Sequence, residues 1–164
     1  LTKLLVKNPT RTLQGVELAP LGVGEVNPEI LGLWNENCIE TAECELSDED
    51  KAAIQNQLKE YFQSEFGMVC VAIDGTSKLV GYGLASLKKD LVSQAYYGQI
   101  DELYVLPEYR RQKTAQAIVE KLNRWFQYKD ASFVYVFVDL DNKLAQNFWE
   151  SSGLSKEFYL MSNN

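Results

Sequence analysis

Gln99-Ile-Asp-Glu-Leu-Tyr-Val-Leu-Pro-Glu-Tyr-Arg-Arg-Gln-Lys-Thr-Ala-Gln-Ala-Ile-Val-Glu-Lys-Leu-Asn-Arg-Trp-Phe126 reads as a strand, a tight basic turn and a helix. Ile100, Leu103 and Val105 are apolar but do not keep a period of two. Counting back from Val105 and Leu103 turns Asp101 inward, whereas counting forward from Ile100 turns Glu102 inward. A regular strand cannot point both carboxylates to one side, so a β-bulge is expected near Asp101 to Tyr104. Pro107 then ends the strand, because it has no N–H for a ladder. Beyond the turn, Ala115, Ile118, Leu122 and Trp125 recur at helical spacing, and Val119 and Phe126 widen the apolar face.

The helix starts just after Arg110, Arg111, Gln112 and Lys113. Unpaired N–H groups and the positive end of the helix dipole therefore lie beside three cationic side chains. That combination suits an anion, a phosphate above all. The plainer reading is a solvated basic turn.

Outward from this stretch, the chain is organised as one expected domain over residues 1–164. Its 46% hydrophobic and 24% charged residues are those of a globular protein. No apolar run approaches the roughly 20 residues of a membrane span, and no signal peptide is expected at the first residues. A net charge of −7 argues against nucleic-acid binding and favours cationic small molecules. Cys38, Cys44 and Cys70 form no metal-type spacing, and an odd count without a secretion signal points to reduced thiols in a cytoplasmic protein. The chain has no histidine, which removes Ser-His-Asp and Cys-His catalysis. A general base must be a carboxylate, a tyrosinate, an amine or a bound water.

N-terminally, an edge strand is expected around Leu4 to Val6 and a first strand over Leu13 to Leu18. Asn27 and Pro28 cap and open a helix with Ile30, Leu33 and Trp34 on its apolar face. Ser47 and Asp50 form a capping box for the next helix, whose stripe is Ile54, Leu58, Tyr61 and Phe62 and which Gly67 stops. Met68 to Ile73 and Lys78 to Leu87 make a hairpin about Asp74-Gly75, with Gly81 and Gly83 allowing close approach of another element. Lys88 to Tyr97 is expected as a loop. Phe133 to Val138, a continuous apolar run, predicts a strand buried on both faces and completes a βαβ unit. Leu144 to Ser152 predicts a short helix closed by Gly153, and Lys156 to Met161 a last strand.

Val105-Leu-Pro-Glu-Tyr-Arg-Arg-Gln-Lys-Thr-Ala resembles the acetyl-CoA signature of the GNAT superfamily of N-acetyltransferases, "V-x-P-x-[YF]-R-[RG]-Q-G-x-[GA]". Asn142, Ala145, Phe148, Trp149, Gly153 and Leu154 resemble its downstream segment "N-x-x-A-x-x-F-Y-x-x-x-G-F". The resemblance covers roughly the C-terminal half. It implies an α/β fold with a mixed sheet splayed at its centre and helices on both faces, with the hairpin set beside the Gln99 strand. It implies acetyl-CoA as acetyl donor, held by Leu103, Val105, Arg110, Arg111, Gln112, Lys113, Thr114, Ala115 and Gln116. Asn142, Ala145 and Phe148 would line the other side of the slot. Glu102 and Asp101 would hold or deprotonate a small-molecule amine, and Trp34 with residues 35 to 46 would face it.

Two departures stand against the pattern. Lys113 replaces the first motif glycine, and Trp149 replaces a tyrosine that many members use as general acid. Two readings of different class follow: an N-acetyltransferase acting by direct attack on a primary amine, and a GNAT-like domain that binds acyl-CoA without turnover. Lys113 and Trp149 favour the second; Asp101, Glu102 and the Arg-Arg-Gln run favour the first. A third reading has the fold without CoA, Lys113 blocking the loop. Neither a membrane nor nucleic acid is an expected partner, while the short C-terminal tail makes a homodimer an expectation.

Overall fold

The computed structural model describes residues 16–20 and 28–163. The strand at Leu4 to Val6, the start of the one at Leu13 and the Asn27 cap lie outside the described residues. The elements run β1 (Val16–Pro20), α1 (Pro28–Ala42), α2 (Asp48–Gln63), β2 (Gly67–Asp74), β3 (Leu79–Lys89), β4 (Tyr96–Val105), α3 (Thr114–Tyr128), β5 (Val134–Val136) and α4 (Lys143–Ser151). A 3-10 turn, Pro107–Tyr109, follows β4, with Pro107 at its first position, where a missing N–H costs nothing.

The described strands form one five-stranded sheet in sequence order. β1 to β4 pair antiparallel, and β5 joins β4 in parallel. The fold is thus α/β with a mixed sheet. Local signals explain much of it: α2 starts at a capping box in which the Ser47 hydroxyl accepts from the Asp50 N–H while the Asp50 carboxylate accepts from the Ser47 N–H.

Side-chain alternation assigns the two faces. On one, α3 lies so close that a Cβ at Gly83 would meet Ile118 Cγ2 at 2.5 Å, and one at Gly98 would meet the Phe126 ring at 2.5 Å. These glycines are absent side chains that let Ile118, Leu122 and Phe126 sit flat on the sheet. On the other face, Trp34 of α1 stacks on Tyr82 at 4.8 Å. Ile30 of α1 and Leu58 of α2 are fully buried there, each such side chain stabilising the fold by about 1.5–3 kcal/mol.

Several expectations need correction. The buried stripe of α3 is Thr114, Ala117, Ile118, Val119, Leu122 and Phe126, whereas Ala115 and Trp125 are half-buried. Of the α2 stripe only Leu58 is fully covered. That helix stops at Ser64, and Gly67 opens β2 instead, tight against Tyr61. The loop expected over Lys88 to Tyr97 shrinks, because β3 and β4 extend their pairing through Lys89 and Tyr96.

The largest departure is at the far edge. β5 pairs over three residues only, and Phe133 and Phe137 on either side of it are exposed rather than buried. No strand forms at Lys156 to Met161, so β5 is the edge of the described sheet. The parting of strands expected at the centre lies between β4 and this edge strand. At this end of the sheet the helical layers that would cover both faces of a parallel strand leave Phe133 and Phe137 open.

Candidate functional site

β4 carries the site because it is irregular and outlasts its neighbour. Its pairing to β3 runs Ile100 to Ala85 and then Glu102 to Leu84, so Asp101 is the additional residue of a bulge. Gln99 and Asp101 lie on the face towards α1 and α2. After the bulge, Glu102 and Tyr104 lie on that face too. Both carboxylates therefore point to one side, which no regular strand allows, while Ile100, Leu103 and Val105 keep to the α3 side.

Hydrogen bonds fix Asp101 from two directions. The Tyr61 hydroxyl of α2 donates to its Oδ2 at 2.8 Å, and the Gln99 amide donates to its Oδ1 at 2.7 Å. The Tyr135 hydroxyl of β5 donates in turn to Gln99 Oε1 at 2.7 Å. This chain ties α2, β4 and β5 together and keeps Asp101 an acceptor. Burial and the charged Asp101 beside it push the Tyr61 phenol well above its ordinary pKa.

Glu102 is half-buried on the same face. Burial first, and then the charge of Asp101, raise its pKa above that of an ordinary glutamate. A carboxylate shifted in this direction is a better proton acceptor than one in water. Tyr82 stands next to it, its hydroxyl accepting from the Asn37 amide at 3.2 Å. Burial and the Glu102 charge raise the Tyr82 phenol as well.

Beyond the bulge, β4 continues through Val105 while β5 pairs only with Gly98 to Ile100. On the side away from β3, residues 101 to 105 have no paired strand among the described residues. The Leu106 N–H donates to Val80 O of β3 at 2.9 Å; by alternation the N–H groups of Val105 and Leu103 face the open side.

The turn after β4 is anchored to the hairpin, with the Tyr109 hydroxyl donating to Asp74 Oδ2 at 2.7 Å. Together with the Thr76 contacts, that bond holds Asp74 below the ordinary carboxylate range. Arg111 and Lys113 both adopt left-handed backbone conformations, with φ of 59° and 65°. Lys113 is also the N-cap of α3. This explains the motif glycine: the position requires a left-handed conformation that costs a non-glycine residue about 1–2 kcal/mol. The Lys113 side chain is exposed and does not fill the turn. The first helical i to i−4 bond runs from Ala117 N to Lys113 O at 2.9 Å. The N–H groups of Thr114, Ala115 and Gln116 consequently have no partner within the helix. Lys113, Gln116, Glu120 and Asn123 of this turn and helix line a cleft of about 320 Å³ with Ser152 after α4.

One predicted site residue, Arg110, makes contacts that the sequence did not announce. Arg110, expected at the phosphate turn, reaches back across the strand end. Its terminal nitrogens donate to both Glu40 oxygens at 2.7 and 2.5 Å, and its Nε donates to Val105 O at 2.8 Å. Asn142 caps α4, its Oδ1 accepting from Ala145 N at 2.9 Å. Ala145 and Phe148 are half-buried and pack on the core. Trp149, at the tyrosine position of the motif, is itself buried and meets Phe148 edge-on at 5.0 Å.

Glu40 and Tyr61 are the polar contacts that sequence reasoning missed. Tyr61 reads as one more member of an apolar stripe, although a tyrosine there buries its ring and needs a partner for its hydroxyl. Residues 13–50 contain ten acids and no lysine or arginine. Any cation for Glu40 therefore had to come from elsewhere in the chain, which is a signal that could have found Arg110. The Glu40 carboxyl is held below its ordinary range chiefly by the Arg110 hydrogen bonds. Tyr104, whose hydroxyl donates to Glu40 Oε2 at 3.3 Å, is pushed up to about 12 by burial and by the Glu40 charge.

A bulged strand that leaves its neighbour, followed by a left-handed turn into a helix, agrees with what comparison with known proteins finds. The sequence pattern of the acetyltransferase (GNAT) family matches residues 30–154, and the chain belongs to that family. Members use acetyl-CoA, and membership supports acyltransferase activity. Among solved structures, it is similar to an aminoglycoside acetyltransferase from an uncultured soil metagenomic sample, determined with trehalose, at 18% identity and TM-score 0.73. The similarity covers 92% of this chain and 95% of that one. A second aminoglycoside acetyltransferase, bound to the bisubstrate analogue CoA-S-monomethyl-acetylneamine, matches at 15% identity and TM-score 0.73 over 91% and 97% of the two chains. Glucosamine-6-phosphate N-acetyltransferase from Arabidopsis thaliana matches at 18% identity and TM-score 0.69 over 91% and 97%. At these identities the likeness establishes the fold, not the acceptor. Among the described residues no helix is long and apolar enough to cross a membrane.

Proposed function

We propose that this protein transfers an acetyl group from acetyl-CoA to a primary amine of a small molecule, by direct attack with both substrates bound. The observation that carries the reading is the Asp101 bulge, which turns two carboxylates to one face beside an open strand edge.

The residues present fit the donor. The N–H groups from Gln112 to Gln116 and the two left-handed residues at 111 and 113 make a concave, positive site for the pyrophosphate. Arg111 and Lys113 add charge, and the neighbouring cleft offers room for the nucleotide. The pantetheine arm would lie along the open edge of β4 at Leu103 and Val105, between it and Ala145 and Phe148. When bound, acetyl-CoA supplies a thioester activated for acyl transfer.

The chain's residues do the rest. The Val105 N–H stabilises the charge that develops on the thioester oxygen. Asp101, fixed as an acceptor, draws the ammonium group of the acceptor to the α1 and α2 face. Glu102 first takes a proton from the ammonium group, so that a neutral nitrogen with a free lone pair attacks; the C–N bond forms, the C–S bond breaks, CoA leaves as thiolate, and the nitrogen sheds its second proton to water. Trp149 is buried and no acid, so that thiolate is protonated from water. The acidic stretch over residues 13–50 suits a cationic acceptor, and the reduced cysteines suit a cytoplasmic enzyme.

Incubation with acetyl-CoA and a panel of primary amines tests this by thiol release together with the mass of the acetylated product. Release that requires an amine supports the reading. Binding of acetyl-CoA with no turnover of any amine in the panel would leave the non-catalytic acyl-CoA domain in its place.

A further inference from the structure

Arg110 joins two parts of the site: the C-terminal half of α1 and the last peptide of β4. Its fork is filled by Glu40 at 2.7 and 2.5 Å, and its Nε by the Val105 carbonyl at 2.8 Å. The guanidinium lies 5.5 Å from the centre of the Tyr104 ring, and the Tyr104 hydroxyl closes the group on Glu40 Oε2. The Val105–Leu106 peptide is thereby held at both ends, its carbonyl by Arg110 and its N–H by Val80 O at 2.9 Å. The Val105 N–H belongs to the preceding peptide, so holding this unit anchors the far side of the Val105 Cα and narrows the directions that N–H can take.

We infer that Arg110 is a positioning residue and not a phosphate ligand: through Glu40 and the Val105 carbonyl it sets the Val105 N–H against the acceptor wall. The assignment rests on the acetyltransferase reading. Three arguments support it. Three of the five Arg110 N–H groups are engaged and its bidentate face is taken by Glu40, whereas Arg111 and Lys113 remain exposed at the helix start. Only a planar fork can serve a carboxylate bidentately while its Nε serves a carbonyl, so lysine is no substitute here. Finally, the Glu40 and Arg110 side chains are 42% and 32% exposed, a setting in which an ion pair adds little to stability. The geometry therefore holds a backbone group in place more than it holds the fold together.

The test is a split between binding and turnover in Arg110→Lys, Glu40→Gln and the double variant, each with its melting temperature recorded. Acetyl-CoA affinity is read by calorimetry, and kcat at saturating acetyl-CoA with the best amine. The inference expects Arg110→Lys to lower kcat at least tenfold, with affinity changed less than threefold and melting close to wild type. Glu40→Gln shifts kcat in the same direction, and the double variant loses less than the product of the two single losses. A tenfold or greater loss of affinity at unchanged saturated kcat in Arg110→Lys makes Arg110 a phosphate ligand and overturns the assignment. So does Glu40→Gln at wild-type kcat. Wild-type protein that binds no acetyl-CoA removes the acetyltransferase reading itself, a result visible before any variant is made.

Discussion

The two faces of β3 and β4 differ in kind although the same backbone makes both. Towards α3 the sheet offers Gly81, Gly83 and Gly98 to Ile118, Leu122 and Phe126, a contact with no polar side chain in it. Towards α1 and α2 it offers Tyr82, Gln99, Asp101, Glu102 and Tyr104; Tyr82 is bonded to Asn37, Asp101 to Tyr61 and Gln99, and Tyr104 to Glu40. The first face sets the strands; the second is the one proposed to do the chemistry. The bulge at Asp101 adds a carboxylate to the polar face without shifting a residue on the apolar one.

The contrast breaks most sharply at Glu102. Glu102→Gln should lower kcat by about 100-fold or more, the ordinary contribution of a general base, with acetyl-CoA affinity unchanged. The same change acts on stability with a definite sign. The folded carboxyl has a raised pKa, so its contribution is present below the unfolded value and lost as pH rises through the folded one. The glutamine variant should therefore melt above wild type at neutral pH and show a flatter dependence on pH. Equal turnover in that variant would remove Glu102 from the mechanism.

On the other face, Gly83→Ala forces a methyl to within 2.5 Å of Ile118 Cγ2. Overpacking of this kind costs about 1–3 kcal/mol, measurable by urea unfolding, while KM for the amine stays put. Deletion of Asp101 sharpens the comparison further. Ile100 and Glu102 would then follow one another in a regular strand, each still on its present face. Native circular dichroism is expected, with stability lower by about 1–3 kcal/mol as Tyr61 loses its charged partner and with weakened binding of the amine. An unfolded product would mean that the bulge also serves the apolar face. The smallest effect belongs to Lys113→Gly, which relieves a left-handed lysine. It should raise stability by up to about 1 kcal/mol and weaken acetyl-CoA binding only slightly, because the backbone N–H groups of the turn stay while one added charge is lost.

The bulge was legible in the sequence because Ile100 disagrees in phase with Leu103 and Val105. The helix after the basic turn was legible from its spacing, and the α2 start from Ser47 and Asp50. What stayed hidden depended on neighbours remote in sequence. Arg110 reads as a phosphate ligand, and its bond to Glu40, seventy residues away, is not legible from the motif. Tyr61 reads as core until Asp101 is placed opposite. The Phe133 to Val138 run reads as a strand covered on both sides, yet its pairing extends over three residues at an edge. Apolar composition reports what a segment could bury, not how much is there to bury it.

Calorimetric titration of the protein with acetyl-CoA, with CoA and dephospho-CoA as controls, tests the account most directly. Binding in the micromolar range is predicted, about −8 kcal/mol, through the open edge of β4 and the turn before α3. No heat and no thermal stabilisation at millimolar ligand would contradict it, and the basic turn would then be a solvated loop.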